Sequence, residues 1–216
     1  MNLYVLLSEL GRGMLISIEI FVLTLIISLP LGLVIAFGRM AKQPVLRIFF
    51  KIYISIMRGT PLMLQLMVVY FGPYYLFGIS LSRDYRFWAV IIGFGLNYAA
   101  YFAEIYRGGI ESMPIGQYEA AKLLGYGKAQ TFFRIILPQV IKRIIPAITN
   151  EVITLVKDTS LAFVISVTEM FTVAKAIASA QANMMPYVAA GIFYYIFNFV
   201  VATTMEKIEK KLSYYR

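Results

Sequence analysis

Glu119-Ala120-Ala121-Lys122-Leu123-Leu124-Gly125, running on through Phe133 and Ile135 to Leu137-Pro138, is a short, charged segment in a chain that is otherwise mostly apolar. Pro114 and Ile115-Gly116-Gln117 lead into it, Glu119 to Leu124 favour helix, and Gly125 and Gly127 let the chain leave the helix. A helix of two or three turns is therefore expected within residues 114–128. Ala120, Ala121 and Gly125 carry almost no side chain, so another protein can approach that backbone closely, with Glu119 and Lys122 as polar handles at the edge. A bilayer crossing takes about 20 residues, so this segment reads as a docking element and not as a span.

The rest of the chain supplies the spans. Of 216 residues, 60% are hydrophobic and 14% charged, where a soluble domain carries about 25% charged residues, and the mean hydropathy is +0.76. The composition predicts an integral membrane protein. The net charge of +9 comes from positive residues clustered between apolar runs, the pattern of topology control, so nucleic acid is not an expected partner. The chain has no cysteine and no histidine, which removes thiol and imidazole catalysis, disulfides and the usual zinc sites. A nucleotide site also fails, because Gly127-Lys128 is followed by Ala129 and Lys122 stands where a phosphate-binding loop needs its first glycine. No cofactor is expected in this chain.

In order, residues 1–13 are mildly amphipathic and are expected at an interface, and residues 14–38 form a first span with a kink at Pro30 and Gly32. Arg39, Lys42, Arg47 and Lys51, with no acid between them, mark residues 39–51 as a cytoplasmic loop. Residues 59–82 form the second span, broken at Gly59-Thr60-Pro61, and Arg83 to Arg86 a short external connection. Residues 87–103 form the third span, which ends in the stretch Tyr101 to Ile110, and the long segment on to Arg143, with Arg107, Lys122, Lys128, Arg134, Lys142 and Arg143, is cytoplasmic. Residues 144–174 are expected to make one crossing plus a partial, buried helix, broken at Lys157-Asp158-Thr159-Ser160, three of which are good N-cap residues. A fifth span follows Pro186, and Lys207, Lys210, Lys211 and Arg216 place the tail, residues 206–216, inside. The fold class is thus an all-α membrane protein with about five transmembrane helices, N-terminus out and C-terminus in, in a single domain over residues 1–216.

Ionisable and polar groups at membrane depth are costly and mark pathways or pairing sites. Asn97, Tyr101, Glu104 and Gly108 recur at helical spacing and share one face of the third span; Asn150, Thr154, Lys157 and Leu161 do the same on the fourth, with Glu151 and Asp158 one residue round. Two polar stripes can face each other. The bland alternative is interhelical hydrogen bonding, with Lys157 paired to Asp158 or Glu151. Glu19 and Glu169, nearer predicted ends, are read as structural, and Arg58 as interfacial. Gln65 stays open. The 11 Met, 16 Tyr and 16 Phe are scattered and fit packing and interfacial belts.

Glu119-Ala120-Ala121, three residues, Gly125, nine residues, then Ile135-x-Leu137-Pro138 resembles the EAA signature of membrane subunits of ATP-binding cassette (ABC) importers. Arg58-Gly59-Thr60-Pro61-Leu62 with Gln65-Leu66, the stretch Tyr101 to Ile110, and Lys157-Asp158-Thr159-Ser160-Leu161 are similar to the polar amino-acid branch of that family. The resemblance implies a type I importer permease fold in the bacterial inner membrane. It implies that Glu119, Ala120, Ala121, Gly125, Leu137 and Pro138 belong to a cytoplasmic coupling helix and its continuation, seated in a groove of the ATPase. The implied partners are two ATPase subunits holding ATP and Mg, a second permease subunit in a homodimer, and an extracytoplasmic amino-acid-binding protein. The candidate substrate residues are then Gln65, Asn97, Tyr101, Glu104, Asn150, Thr154, Lys157, Asp158, Thr159 and Ser160. A break at Lys157–Ser160 would present free N–H groups to a substrate carboxylate, and Glu104 and Asp158 would face its ammonium or side-chain cation; the excess of acids points to a polar or basic amino acid. The alternative is an ion- or proton-coupled secondary transporter, which would use broken helices and midplane acids too. It leaves the docking helix unexplained and requires an inverted repeat that the chain does not show.

Overall fold

The computed structural model describes residues 2–82 and 84–212, and all its regular elements are helical. Among the described residues nine α-helices follow one another: α1 (Leu3–Arg39), α2 (Pro44–Gly59), α3 (Leu62–Phe77), α4 (Tyr85–Glu111), α5 (Ile115–Leu123), α6 (Lys128–Thr131), α7 (Leu137–Asp158), α8 (Met170–Gln181) and α9 (Met185–Leu212). A π-turn, Phe132–Ile136, joins α6 to α7, and a 3₁₀ segment, Thr159–Ile165, extends α7. Among the described residues three helices, α1, α4 and α9, are long and apolar enough to cross a membrane. Two bent pairs raise the number to 5 if each is one span: α2 with α3, at 110°, and residues 128–165 with α8, at 57°. The expected set of five agrees with that upper number.

Packing explains where the boundaries moved. Residues 3–13 are the first turns of α1 and not a separate interfacial segment, because Leu6, Leu10 and Met14 are buried with Met170 and Ala174 of α8 and Ala190 of α9. The helix runs uninterrupted through Pro30. Its pairing with α4 is close: a Cβ at Gly32 would come within 2.9 Å of the Phe102 Cβ and 3.0 Å of the Ala99 carbonyl oxygen, closer than real contacts allow, so the bulk is left out of α1 and the aromatic ring kept on α4. Residues 39–51 are not all loop. Pro44, with no N–H to lose, opens α2 at the first helical position, and α2 buries Ile54 against Ile35 and Ala36 of α1 and Ala99 and Ala103 of α4. The expected external connection includes Arg83, and the tail includes residues 213–216; both lie outside the described residues.

The largest correction concerns residues 157–160. The helix does not break there; it passes through Asp158 and tightens into the 3₁₀ segment, which ends at Ser166 in the left-handed region (φ 59°). The expected caps are occupied elsewhere. Asp158 accepts a hydrogen bond from the Tyr98 hydroxyl at 2.7 Å, and the hydroxyls of Thr159 and Ser160 turn back onto the carbonyls of Val156 and Lys157, each at 2.8 Å. The break falls at Val167–Glu169, and Glu169 caps α8 instead. Its carboxylate accepts from the backbone N–H groups of Phe171 and Thr172, both at 2.7 Å, and from the Tyr194 hydroxyl of α9 at 3.1 Å. Fully buried and also accepting from the hydroxyls of Thr172 and of Ser17 on α1, Glu169 is the structural residue expected of it.

Candidate functional site

Two places answer to the expectations, one at an end of the bundle and one inside it. At the end lies α5, nine residues long, started by Pro114 in extended conformation and ended at Gly125, whose φ is +80°. An L-residue with a Cβ is strained there although nothing stands within 4 Å, so this glycine is needed for the turn itself. Gly127, at φ −70°, needs no such freedom and opens α6. Glu119, Ala120, Lys122, Leu123 and Leu124 are exposed, Leu123 at 89% and Leu124 at 76%. Ala121 departs from the expectation: it is buried within the chain, so its small size serves internal packing and not a partner's approach. Two links tie α5 and its lead-in to α7. The side-chain amides of Gln117 and Gln139 exchange hydrogen bonds, each 2.9 Å, and Arg143 donates to the Ser112 carbonyl at 2.8 Å. Leu137 and Pro138 stand at the start of α7, directly after the π-turn, a distortion that recurs at functional sites.

Inside the bundle, α4, α7 and the α2–α3 break enclose a cavity of about 260 Å³ lined by Pro61, Asn97, Tyr98, Tyr101, Glu151, Thr154 and Asp158, among others. The two stripes therefore meet, but with α7 turned from the expected register. Glu151, Thr154 and Asp158 face α4, because Val152, Leu155 and Val156 are buried in the core with Phe94, Tyr98 and Phe102. Asn150 and Lys157 are consequently exposed and do not reach the cavity. Thr159 is buried and Ser160 half-buried, each spent on the carbonyl bonds described above. Gln65 acts as a brace: its amide nitrogen donates to the carbonyls of Met57 (2.9 Å) and Thr60 (3.1 Å) and its oxygen accepts from Asn97 (2.9 Å). Asn97 also donates to the Met57 carbonyl at 3.0 Å, so this pair closes the polar groups freed by the bend at Thr60-Pro61.

Glu104 lies outside the cavity lining. It is gripped by Arg107 at 2.6 Å, with Arg58 at 3.9 Å, and Arg107 also pairs with Glu111. Arg58 is more than an interfacial residue, since its guanidinium sits 5.2 Å from the centre of the Tyr101 ring at the cavity wall. Sequence reading missed Tyr98 as a site residue and left Glu151 aside. An aromatic beside Asn97 on the same helix has no signature of its own; only the partner on α7 reveals it.

The chain is a helical bundle of up to five crossings with a polar cavity between α4 and α7 and a short, largely exposed helix, α5, at one end, the architecture of a membrane transport subunit. The chain belongs to the family of binding-protein-dependent transport system inner membrane components, whose profile matches residues 28–214. It is similar to the L-cystine transport system permease protein TcyB of Bacillus subtilis (strain 168), at 37% identity over 95% of this chain and 87% of the relative. The arginine transport system permease protein ArtQ of the same organism is 38% identical, with 94% and 91% covered. Among solved structures, an amino acid ABC transporter crystallised with histidines superposes with a TM-score of 0.86 at 30% identity, 94% of each chain covered. The MetNI methionine ABC transporter in inward-facing conformation matches at TM-score 0.73 and 17% identity, which bears on the fold alone. The chain is an amino-acid ABC transporter permease subunit of the bacterial inner membrane. It is not itself an enzyme, and the ATPase is a separate subunit. An ATPase and an extracytoplasmic binding protein are the partners the family implies.

Proposed function

We propose that this subunit forms the path for a polar or basic amino acid and that α5 transmits motion from the ATPase to that path. The observation that carries the reading is the cavity between α4 and α7, which presents the two carboxyl groups Glu151 and Asp158 and no lining cation. Lys157 is exposed and outside the lining, with its charge reaching Asp158 from there, and Arg58, also outside the lining, reaches Glu151. With both carboxyl groups in the lining and both cations outside it, the cavity suits a substrate that brings a cationic group of its own, its carboxylate directed to Arg58. Relatives named for arginine, L-cystine and glutamine transport support a polar or basic substrate.

The lever is α7. Gln139, bonded to α5, and Asp158, in the cavity, are joined by one helix over about 28 Å at 1.5 Å per residue. In the assembly, two copies of this chain sit on two ATPase subunits that hold ATP and Mg; ATP binding draws the docking helices together and opens the path outward, and hydrolysis returns it inward. The N-terminus lies outside and the tail inside. Because the chain lacks cysteine, a single cysteine replacing Ser82 tests that orientation without background: it reacts with an impermeant thiol reagent from the outer side, and reaction from the inner side alone would reverse the topology. Uptake by the complex reconstituted in proteoliposomes with a panel of labelled amino acids tests the substrate class. ATP-dependent accumulation of a basic or polar amino acid is expected, and accumulation of aliphatic amino acids alone would sink the assignment.

A further inference from the structure

Where α1 ends, a second cleft opens between that end, α2 and the last turns of α4, with a volume of about 680 Å³. Its charged lining is Arg39 from α1, Arg47 and Lys51 from α2, and Arg107 and Glu111 from α4. Arg107 is committed to Glu104 and Glu111, and Glu111 is thereby neutralised. Arg39, Arg47 and Lys51 make no ion pair or hydrogen bond among the described residues. Arg39 shares Glu104 with Arg107 and Arg58, while Arg47 and Lys51 have no such acid, so the concavity holds an excess of positive charge that favours an anion. The adjoining surface of α2 is apolar and open: Val45 is 72% exposed, Phe49 62% and Ile52 54%, beside Ile48 in the cleft wall. A basic cavity at the end of a membrane helix, continued by an apolar helix face, matches a headgroup phosphate with its acyl chains alongside.

We infer that this cleft binds the phosphate of an anionic phospholipid, with Arg39, Arg47 and Lys51 as the countercharges and the exposed face of α2 as the acyl platform. Arg47 and Lys51 lie one turn apart on one face of α2, so both reach one headgroup. Free phosphate esters share the charge but not the acyl contact, which allows the two sources to be separated.

The full chain, assembled with its ATPase and held in detergent, is exposed to phosphatidylglycerol or phosphatidylcholine, and retained lipid is counted by native mass spectrometry. One tightly held phosphatidylglycerol per chain is expected, with phosphatidylcholine retained far less. Removing two charges in R47Q/K51Q should weaken retention about thirtyfold, at roughly fivefold for each basic residue. K207Q, which removes an exposed cation on α9, should change nothing. E111Q moves the result in the opposite direction, strengthening retention, so a folding defect cannot imitate the pattern. Glycerol phosphate at millimolar concentration should not displace the lipid. Equal retention of both lipids, displacement by glycerol phosphate, or loss of the ATPase in place of the lipid in R47Q/K51Q would each overturn the assignment.

Discussion

Ala120→Trp is expected to leave the chain folded and inserted yet to lower both ATPase retention and uptake at least tenfold. Ala120 is exposed at the middle of α5, so an indole there displaces nothing within the chain; its bulk falls on whatever packs against the helix. Centrally placed, tightly packed interface positions are where single substitutions cost 2 kcal/mol or more, and about 1.4 kcal/mol is a factor of ten. Ala121→Trp would not make the same test, since Ala121 is buried within the chain and its enlargement disrupts the fold first. Gly125→Ala provides the contrast. No atom lies within 4 Å of the added methyl, so its cost is the left-handed backbone alone, about 1–2 kcal/mol, and a milder loss of coupling is expected. Affinity purification through a tag on this chain, with the ATPase quantified in the eluate, measures both. Wild-type recovery of the ATPase together with normal uptake in Ala120→Trp would remove α5 from the coupling path.

Asp158→Asn is expected to reduce uptake of a basic amino acid by ten- to a hundredfold in kcat/KM while leaving the assembled complex intact. The substitution keeps the volume and the acceptor for the Tyr98 hydroxyl, now 2.7 Å away, and deletes the charge. A hydrogen bond to a charged group contributes about 1.5–3 kcal/mol, which sets that range. Tyr98→Phe separates charge from position. It removes a bond that orients the carboxylate but leaves the charge, so a smaller effect on uptake is expected, without a change in which amino acids are carried. If Asp158 served only to hold α7 against α4, the two variants would lower complex yield alike and leave substrate preference untouched.

How far the sequence reaches is clear from individual residues. The short helix α5 was legible because its determinants are local: Pro114 starts it, Gly125 turns it, and the motif spacing fixes Leu137 and Pro138 at the head of the next long helix. The pairing of polar faces on α4 and α7 was legible from helical periodicity, and Asn97, Tyr101, Thr154 and Asp158 do line one cavity. The rotation of α7 was not, because Asn150 and Glu151 are adjacent and either could face inward; burial of Val152, Leu155 and Val156 decides for Glu151. The misplaced break has a similar origin. Asp158, Thr159 and Ser160 are good caps in isolation, but a hydroxyl from another helix and two carbonyls one turn back claimed their side chains, leaving the capping to Glu169. Residues 3–13 lengthened α1 because of contacts with α8 and α9, more than 150 positions away, which no local pattern announces.

If the cavity between α4 and α7 carries the substrate, a bound amino acid shields the side chains that line it. A single cysteine replacing Thr154, on the cavity wall, can be alkylated without background in a chain that has no other thiol. In the complete complex, the transported amino acid should slow that alkylation severalfold in a concentration-dependent manner, while a cysteine replacing the exposed Ile196 of α9 reacts at a rate indifferent to substrate. Alkylation at position 154 that is equally fast with and without saturating substrate, in a complex that is transporting, would contradict a substrate path through this cavity.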